Sequence, residues 1–310
     1  MLNNSAGVSP RVRAQVRDAI SQLGYVRQRA ARTVTGEQPF GIAAVVGSGG
    51  QRLFNDPTYA RVLSAACTVF TQHDRPLLLT MADRQATLER YLRSRHVEGV
   101  LLIAAASGQM TASAIATRLP IVLIGRPLWQ GEVDYVDVDN HAGAHQAVTH
   151  LIAQGRQSVA TIAGPPDTAV GVDRLAGYRT AHQVADRMAG PVLYGDFTRA
   201  SGVHAMERLM STKPHVDAVF AASDAMAAGA LHALRRAGRR VPDDVAVVGF
   251  DDLPMSAHTN PPLTTVRQPL EELGTLAAQR LLRAIEGDDD LDPDPATGLL
   301  PTSLVIRQSG

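Results

Sequence analysis

Six arginines, Arg11, Arg13, Arg17, Arg27, Arg29 and Arg32, fall within the first 36 residues beside a single acid, Asp18, in a chain whose 30 basic and 30 acidic residues cancel overall. That segment carries a net +5, so the remainder is mildly acidic. A compact basic segment on such a body is what phosphate-backbone binding uses, because each neutralised phosphate releases condensed counterions. A solvated arginine-rich helix face has the same composition.

A second set of polar and aromatic residues stands where apolar runs end: "FNDPTYA", "GRP" with Arg126, "GDF" with Phe197, "ASD" with Ser223 and Asp224, and "GFDD" with Asp251 and Asp252. Asp224 and Asp252 are expected to cap helices. Phe197, directly after Asp196, suits either the core or stacking on the apolar face of a small ring. Arg174, in "VDRLAGYR", is expected in an exposed ion pair, although its fork of donors also suits sugar hydroxyls or a carboxylate.

Catalytic signatures are lacking. "GSGGQR" has Arg52 where a dinucleotide fingerprint needs its last glycine, and neither a phosphate loop nor a nucleophile elbow is present. His141 and His145 have the i, i+4 spacing of helical zinc sites without the accompanying glutamate, and read as solvent-facing histidines. Cys67, the one cysteine, cannot form an internal disulfide and sits in the apolar pattern "VLSAACTVF", which places it in the core. No enzyme activity, cofactor or metal is expected.

The elements that position these residues follow from periodicity. Ser9 and Pro10 form a helix start, Val12, Val16, Ala19, Ile20 and Leu23 share one face, and Gly24 supplies a left-handed stop. "RAARTV" allows only two short turns and needs a partner such as DNA to fold against. From Pro39 onward, eleven apolar strand candidates from "GIAAVV" to "SLVIRQ" alternate with amphipathic helices such as "HAGAHQAVTHLIAQG". Repeated strand, helix, strand units give parallel sheets covered on both faces, and so many strands favour two lobes. In such folds the loops at the carboxyl ends of strands line the ligand crevice. No apolar run reaches the roughly 18 residues that span a bilayer, and the N-terminus lacks a secretion signal's apolar core, so a cytoplasmic location is expected. "EGDDDLDPDPATG" reads as a solvated acidic loop.

The order of these motifs resembles the LacI/GalR family of bacterial transcription repressors. "LNNSAGVSPRVRAQVRDAISQLGY" is similar to the last helix of that family's DNA-binding headpiece, and "RAARTV" to its hinge helix. "DPTYARVL", "PIVLIGRP", "VDVDNHAGAHQAVTHLIAQG", "DRLAGYRTA", "ASDAMAAGALHALRRAG", "VPDDVAVVGFDD" and "PPLTTVRQPLEELG" match its sensor core in order. The resemblance implies an α/β protein of two doubly wound parallel-sheet lobes, like periplasmic binding proteins, behind a partial helical headpiece. It also implies a homodimer that binds operator DNA and responds to a small effector between the lobes.

Carried over residue by residue, the effector-contact positions are Asp56, Thr58, Tyr59, Arg126, Arg174, Phe197, Ser223, Asp251 and Gln268. Arg174 and Asp251 would hydrogen-bond ligand hydroxyls and Phe197 would stack on the ring, a pairing suited to a sugar. Two departures from the family are Ser223, where asparagine is frequent, and Thr58 with Tyr59, where two aromatics are frequent. On the DNA side, Arg27, Arg29 and Arg32 would lie beside phosphates and Val34 would occupy the minor-groove wedge position.

The family's headpiece opens with a helix-turn-helix whose second helix reads the major groove. No counterpart of its first two helices precedes "LNNS" in the sequence. Either Met1 is internal to a longer reading frame of a sequence-specific repressor, or the chain is a sugar-binding dimer that has lost operator readout. A secreted sugar-binding protein shares the two-lobe plan but not the arginine-rich leader. The implied division is residues 1–38 for headpiece and hinge, 39–140 with 263–296 for the N-terminal lobe, and 141–262 with 297–310 for the C-terminal lobe. The crossings are then expected near Asn140, Pro262 and Thr297.

Overall fold

The computed structural model of the 310-residue chain describes residues 41–46, 57–81, 85–93, 96–103, 119–129, 133–287 and 298–310. The expected N-terminal helix, the hinge with Arg27, Arg29, Arg32 and Val34, Asp56 and most of the acidic loop lie outside the described residues.

Two six-stranded sheets account for the alternation read from sequence. The first is built from β1 (Ile42–Val46), β2 (Leu77–Met81), β3 (Gly99–Ile103), β4 (Ile121–Ile124), β5 (Asp134–Val138) and β11 (Leu299–Leu300), in the order β11-β5-β4-β3-β1-β2. The second contains β6 (Val159–Ala163), β7 (Val192–Tyr194), β8 (Ala218–Ala221), β9 (Ala246–Asp251), β10 (Thr264–Arg267) and β12 (Ser303–Val305), in the order β12-β10-β9-β8-β6-β7. Every pairing is parallel except β10 with β12. β11 and β12 belong to different sheets, and only residues 301–302 separate them.

Continuous apolar sequence makes the central strands. β1, β3, β6, β8 and β9 are buried along their whole length, as strands covered on both faces must be. In the first lobe, α1 (Pro57–Gln72) and α7 (Leu270–Glu286) pack together over one face through Val62, Phe70, Leu273 and Leu281. On its other face Leu88 and Leu92 of α2 (Gln85–Arg93) meet Ala43, Val45 and Leu102. In the second lobe α3 (Asn140–Ala153) pairs with α4 (Ala169–Val184), and α5 (Arg199–Thr212) pairs with α6 (Asp224–Arg236). These pairs enclose two apolar clusters centred on Phe220 with Phe250 and on Met226 with Leu234.

Four helices of the second lobe start on a side-chain cap: Asp139 accepts from Ala142 N, Thr168 from Gly171 N, Thr198 from Ser201 N and Ser223 from Met226 N. Each satisfies an amide that the helix geometry leaves unpaired, which fixes where the strand-to-helix loops turn. Asp224 is therefore not the cap of α6, contrary to the sequence expectation, because Ser223 holds that position. Asp252 caps nothing either: its carboxylate takes Arg267 Nε and Arg307 Nη2, both at 2.6 Å.

Cys67 is exposed on α1, and the core reading of "VLSAACTVF" fails because Val62, Ala66, Val69 and Phe70 already define the buried stripe one position away. The chain leaves the first sheet after Val138 and enters α3 at Asn140. The return differs from the sequence division. Thr264–Arg267 pairs with β9 in the second sheet, so the chain passes back at Gln268 and Pro269, ahead of α7, rather than at Pro262. The last passage lies at residues 301–302 rather than at Thr297, since Leu299 and Leu300 still pair with β5. A two-residue strand carries too little periodicity to be seen in sequence.

Candidate functional site

Asp137 occupies the penultimate position of β5 between two valines, where its carboxylate is buried beside the first passage between lobes. It accepts hydrogen bonds from Arg126 N and Val138 N, both at 2.7 Å, and from Asn140 Nδ2 at 3.1 Å. Burial raises its pKa, opposed by the two backbone donors and the positive field of Arg174.

Asn140 passes the network into the second lobe. Its Oδ1 accepts from Arg174 Nε at 2.9 Å, while Arg174 Nη1 donates to Ala222 O at 2.7 Å and to Asp251 Oδ1 at 3.1 Å. The Arg174 guanidinium carbon lies 3.6 Å from the centroid of the Phe250 ring. With 3% of its surface exposed, Arg174 is not in the exposed ion pair expected for a charged helix residue. α4 turns it inward, toward the ends of β8 and β9. Burial lowers its pKa, opposed chiefly by Asp251.

Gln268, at the second passage, donates through Nε2 to the same Asp251 oxygen at 2.6 Å. Asp251 thus joins the end of β9, helix α4 and an inter-lobe strand. Its backbone has φ of +116°, and Asp252 follows at +49°. Left-handed angles at non-glycine residues cost of order 1–3 kcal/mol and persist where surrounding structure over-determines them. Here the surrounding structure is the arginine and glutamine holding the carboxylate.

Phe197 has the same kind of backbone, φ +66°, after β7. The turn lays its half-buried ring against Gly164 at the end of β6: a Cβ added to Gly164 would stand 2.3 Å from Phe197 Cζ. That strand-end glycine therefore makes room for the ring. Phe197 also rests on the cluster around Met226, so the ring has a firm backing.

Behind this surface lies Asp224. It accepts from Leu253 N, Ser256 Oγ and Thr265 Oγ1. Burial and the neighbouring Asp251 charge push it up to about 7 against those three donors. Gly249 allows the approach, since a Cβ there would fall 2.3 Å from Asp224 Oδ1. Asp224 supports the β9 end and the loop after it. Burial would raise Asp252 as well, but Arg267 and Arg307 hold it below the ordinary aspartate range.

Of the nine effector positions expected from sequence, Arg174, Asp251 and Gln268 are joined in one hydrogen-bonded network. Arg126 shares it through its amide on Asp137. Its guanidinium grips Asp173 of α4, Nε to Oδ2 at 2.9 Å and Nη2 to Oδ1 at 2.6 Å. Ser223 is buried and serves as the α6 cap. Thr58 and Tyr59 lie in the first turn of α1, half-buried, with Tyr59 packed on the first-lobe core.

Asp137, Asn140 and Asp173 belong to the constellation and were not among the site residues expected from sequence, which named Asn140 only as a crossing between lobes. The available signals were an acid alternating with valines in "YVDVD" and an acid directly preceding Arg174. Among the described residues, no cluster of histidine, cysteine, aspartate and glutamate is arranged to hold a metal ion, and no helix is long and apolar enough to cross a membrane. His141 is exposed and its Nε2 meets Thr180 Oγ1 at 3.0 Å.

Comparison with known proteins matches residues 148–310 to the periplasmic binding protein-like domain. Over its whole length the chain is 42% identical to the HTH-type transcriptional regulator CelR of Thermobifida fusca, covering 93% of that protein. Over 92% of its length it is 31% identical to the ribose operon repressor of Escherichia coli K12, covering 87% of it. Among solved structures, a CelR–cellobiose complex superposes with a TM-score of 0.82 at 39% identity, covering 100% of this chain and 94% of the other. The Lac repressor dimer bound to operator and the anti-inducer ONPF gives 0.80 at 26% identity, covering 99% and 92%.

Proposed function

Because the chain belongs to the LacI/GalR family of transcription regulators, we propose that it is a homodimeric, sugar-responsive repressor whose effector lies between the two sheets and contacts Arg174, Asp251, Gln268 and Phe197. The observation that carries this reading is the continuous network from Asp137 of the first lobe through Asn140 and Arg174 to Asp251 and Gln268. It presents fixed donors and acceptors on both sides of the inter-lobe passages, and the second lobe adds the packed, half-buried ring of Phe197. Hydroxyl groups of a pyranose need alternating donors and acceptors, and its apolar face needs a ring.

The charge balance narrows the ligand class. The described site sets Arg126 and Arg174 against Asp137, Asp173 and Asp251, with both guanidiniums already engaged by carboxylates. An anionic effector such as a sugar phosphate would add repulsion without a spare cation from this set. A neutral sugar fits, and the CelR–cellobiose complex at 39% identity makes cellobiose the first candidate. Thr58, Tyr59, Ser223 and Asp56 complete the proposed contact surface. The effector acts by favouring one arrangement of lobes, and the three inter-lobe passages transmit the rotation toward the segment before β1.

On the DNA side, Arg27, Arg29 and Arg32 contact phosphates and Val34 enters the minor groove. The protein carries out no catalysis, uses no cofactor and works in the cytoplasm, where operator DNA is found. Fluorescence anisotropy on DNA flanking the native reading frame tests the repressor reading, using this chain and a version extended upstream to the preceding start codon. Sequence-dependent binding that cellobiose or another neutral sugar changes supports it. If neither chain distinguishes flanking from random DNA, the sugar-binding dimer without operator readout is the better account.

A further inference from the structure

Arg126 and Asp173 stand on different lobes, at the end of β4 and on α4, and meet through two charge-assisted hydrogen bonds of 2.9 and 2.6 Å. Arg126 is fixed from its own side: its amide donates to Asp137 Oδ2 at 2.7 Å, and its Nη1 to Pro127 O at 3.1 Å. Asp173 immediately precedes Arg174, which reaches Asn140, Ala222 and Asp251. The ion pair therefore ties the first lobe to the one helix that also delivers the central arginine of the effector network.

We propose that Arg126 and Asp173 form an inter-lobe clasp that holds the lobes together around the cleft, and that Arg126 tunes effector affinity by positioning α4 rather than by accepting the sugar itself. The inference deepens the sugar-sensor reading and rests on it for the affinity effect alone. Bidentate geometry gives the pair directional strength that a single contact lacks. Partly exposed, with side-chain exposures of 34% and 23%, it remains open to salt, whereas the buried Arg174–Asp251 pair is shielded. A clasp that already favours the bridged arrangement reduces what the effector must supply to reach it. Since the effector is uncharged, a salt-dependent affinity has to originate in the protein.

The test measures lobe separation without any sugar. Spin labels are placed at Arg90→Cys on α2 and Ser211→Cys on α5, both exposed positions, in a Cys67→Ser background. Labelled chain is diluted with unlabelled chain, and distances are read by pulsed electron resonance. In the parent protein, raising salt from about 50 to about 500 mM broadens the distribution toward longer separations. Asp173→Asn and Arg126→Gln show the broad distribution at low salt, and salt no longer changes it. In parallel calorimetry with cellobiose, each single variant binds about three- to tenfold more weakly, and the double variant no more weakly than either single one.

Identical distances in parent and variants at both salt concentrations overturn the clasp, whatever the sugar does. Additive affinity losses in the double variant overturn it too, since they would make Arg126 and Asp173 independent contacts. If no sugar binds while the distances shift as expected, the clasp stands and the effector assignment fails.

Discussion

Replacing Arg174 with alanine should damage both stability and binding, and the structure gives the size of each effect. The guanidinium is 3% exposed and donates to Asn140, the Ala222 carbonyl and Asp251. Its removal takes the Arg174 cation from the buried Asp251 carboxylate and this donor from the Ala222 carbonyl. Breaking a buried pair from one side costs about 3–5 kcal/mol. Gln268 still donates to Asp251 at 2.6 Å, which favours the lower end of that range. A double variant, Arg174→Met with Asp251→Asn, removes both charges while keeping bulk over Phe250, and should recover all but about 1–2 kcal/mol. Urea unfolding, monitored by far-UV circular dichroism, reads the stability of each variant. Calorimetry with sugar reads binding, which both variants should lose at least in large part. A loss of under about 1 kcal/mol for Arg174→Ala would refute the claim that this arginine is the keystone of a desolvated network.

Two further perturbations probe the surroundings. Gly164→Ala places a methyl group 2.3 Å from the Phe197 ring. Displacing that ring should cost about 1–3 kcal/mol and weaken sugar binding, and a crystal structure with Phe197 unmoved would contradict the packing argument. Asp224, raised to about 7 in the folded protein, should make stability depend on pH. Its contribution is full below the unfolded aspartate value of about 4 and is lost as pH rises through about 7. The stability of the parent relative to Asp224→Asn should therefore fall between about pH 4 and pH 7, and a flat difference across that window would contradict the shift.

Much of this architecture was legible because strands buried on both faces are written as unbroken apolar runs: "GVLLI" and "AVVGFD" can be little else. The alternation with helices then dictated parallel sheets, and the number of runs dictated two of them. What escaped had physical reasons. Leu299–Leu300 is too short to show a period, and the passage at Gln268 lies inside "TTVRQP", where nothing in composition says which sheet a strand joins. Cys67 shows the limit of apolar patterning, since a residue one step off the buried stripe of a helix faces outward.

The site was legible in part. Strand-end residues such as Asp251 and Phe197 could be singled out because α/β folds bring those ends together. Arg174 was expected at the surface because helix arginines usually are. Only the tertiary meeting of Asn140, Ala222 and Asp251 makes its burial tolerable. Asp173 carried no pattern of its own, as its partner lies 47 residues away and on the other lobe.

The central claim is that the cleft between the lobes recognises a neutral sugar through the Arg174 and Asp251 network, and calorimetric titration with a panel of neutral mono- and disaccharides, cellobiose among them, tests it most directly. Saturable binding of one or a few of these sugars, absent for the Arg174→Met, Asp251→Asn double variant and for the corresponding sugar phosphates, is the predicted result. Binding that survives in the double variant, or a preference for the phosphorylated sugar, would contradict it.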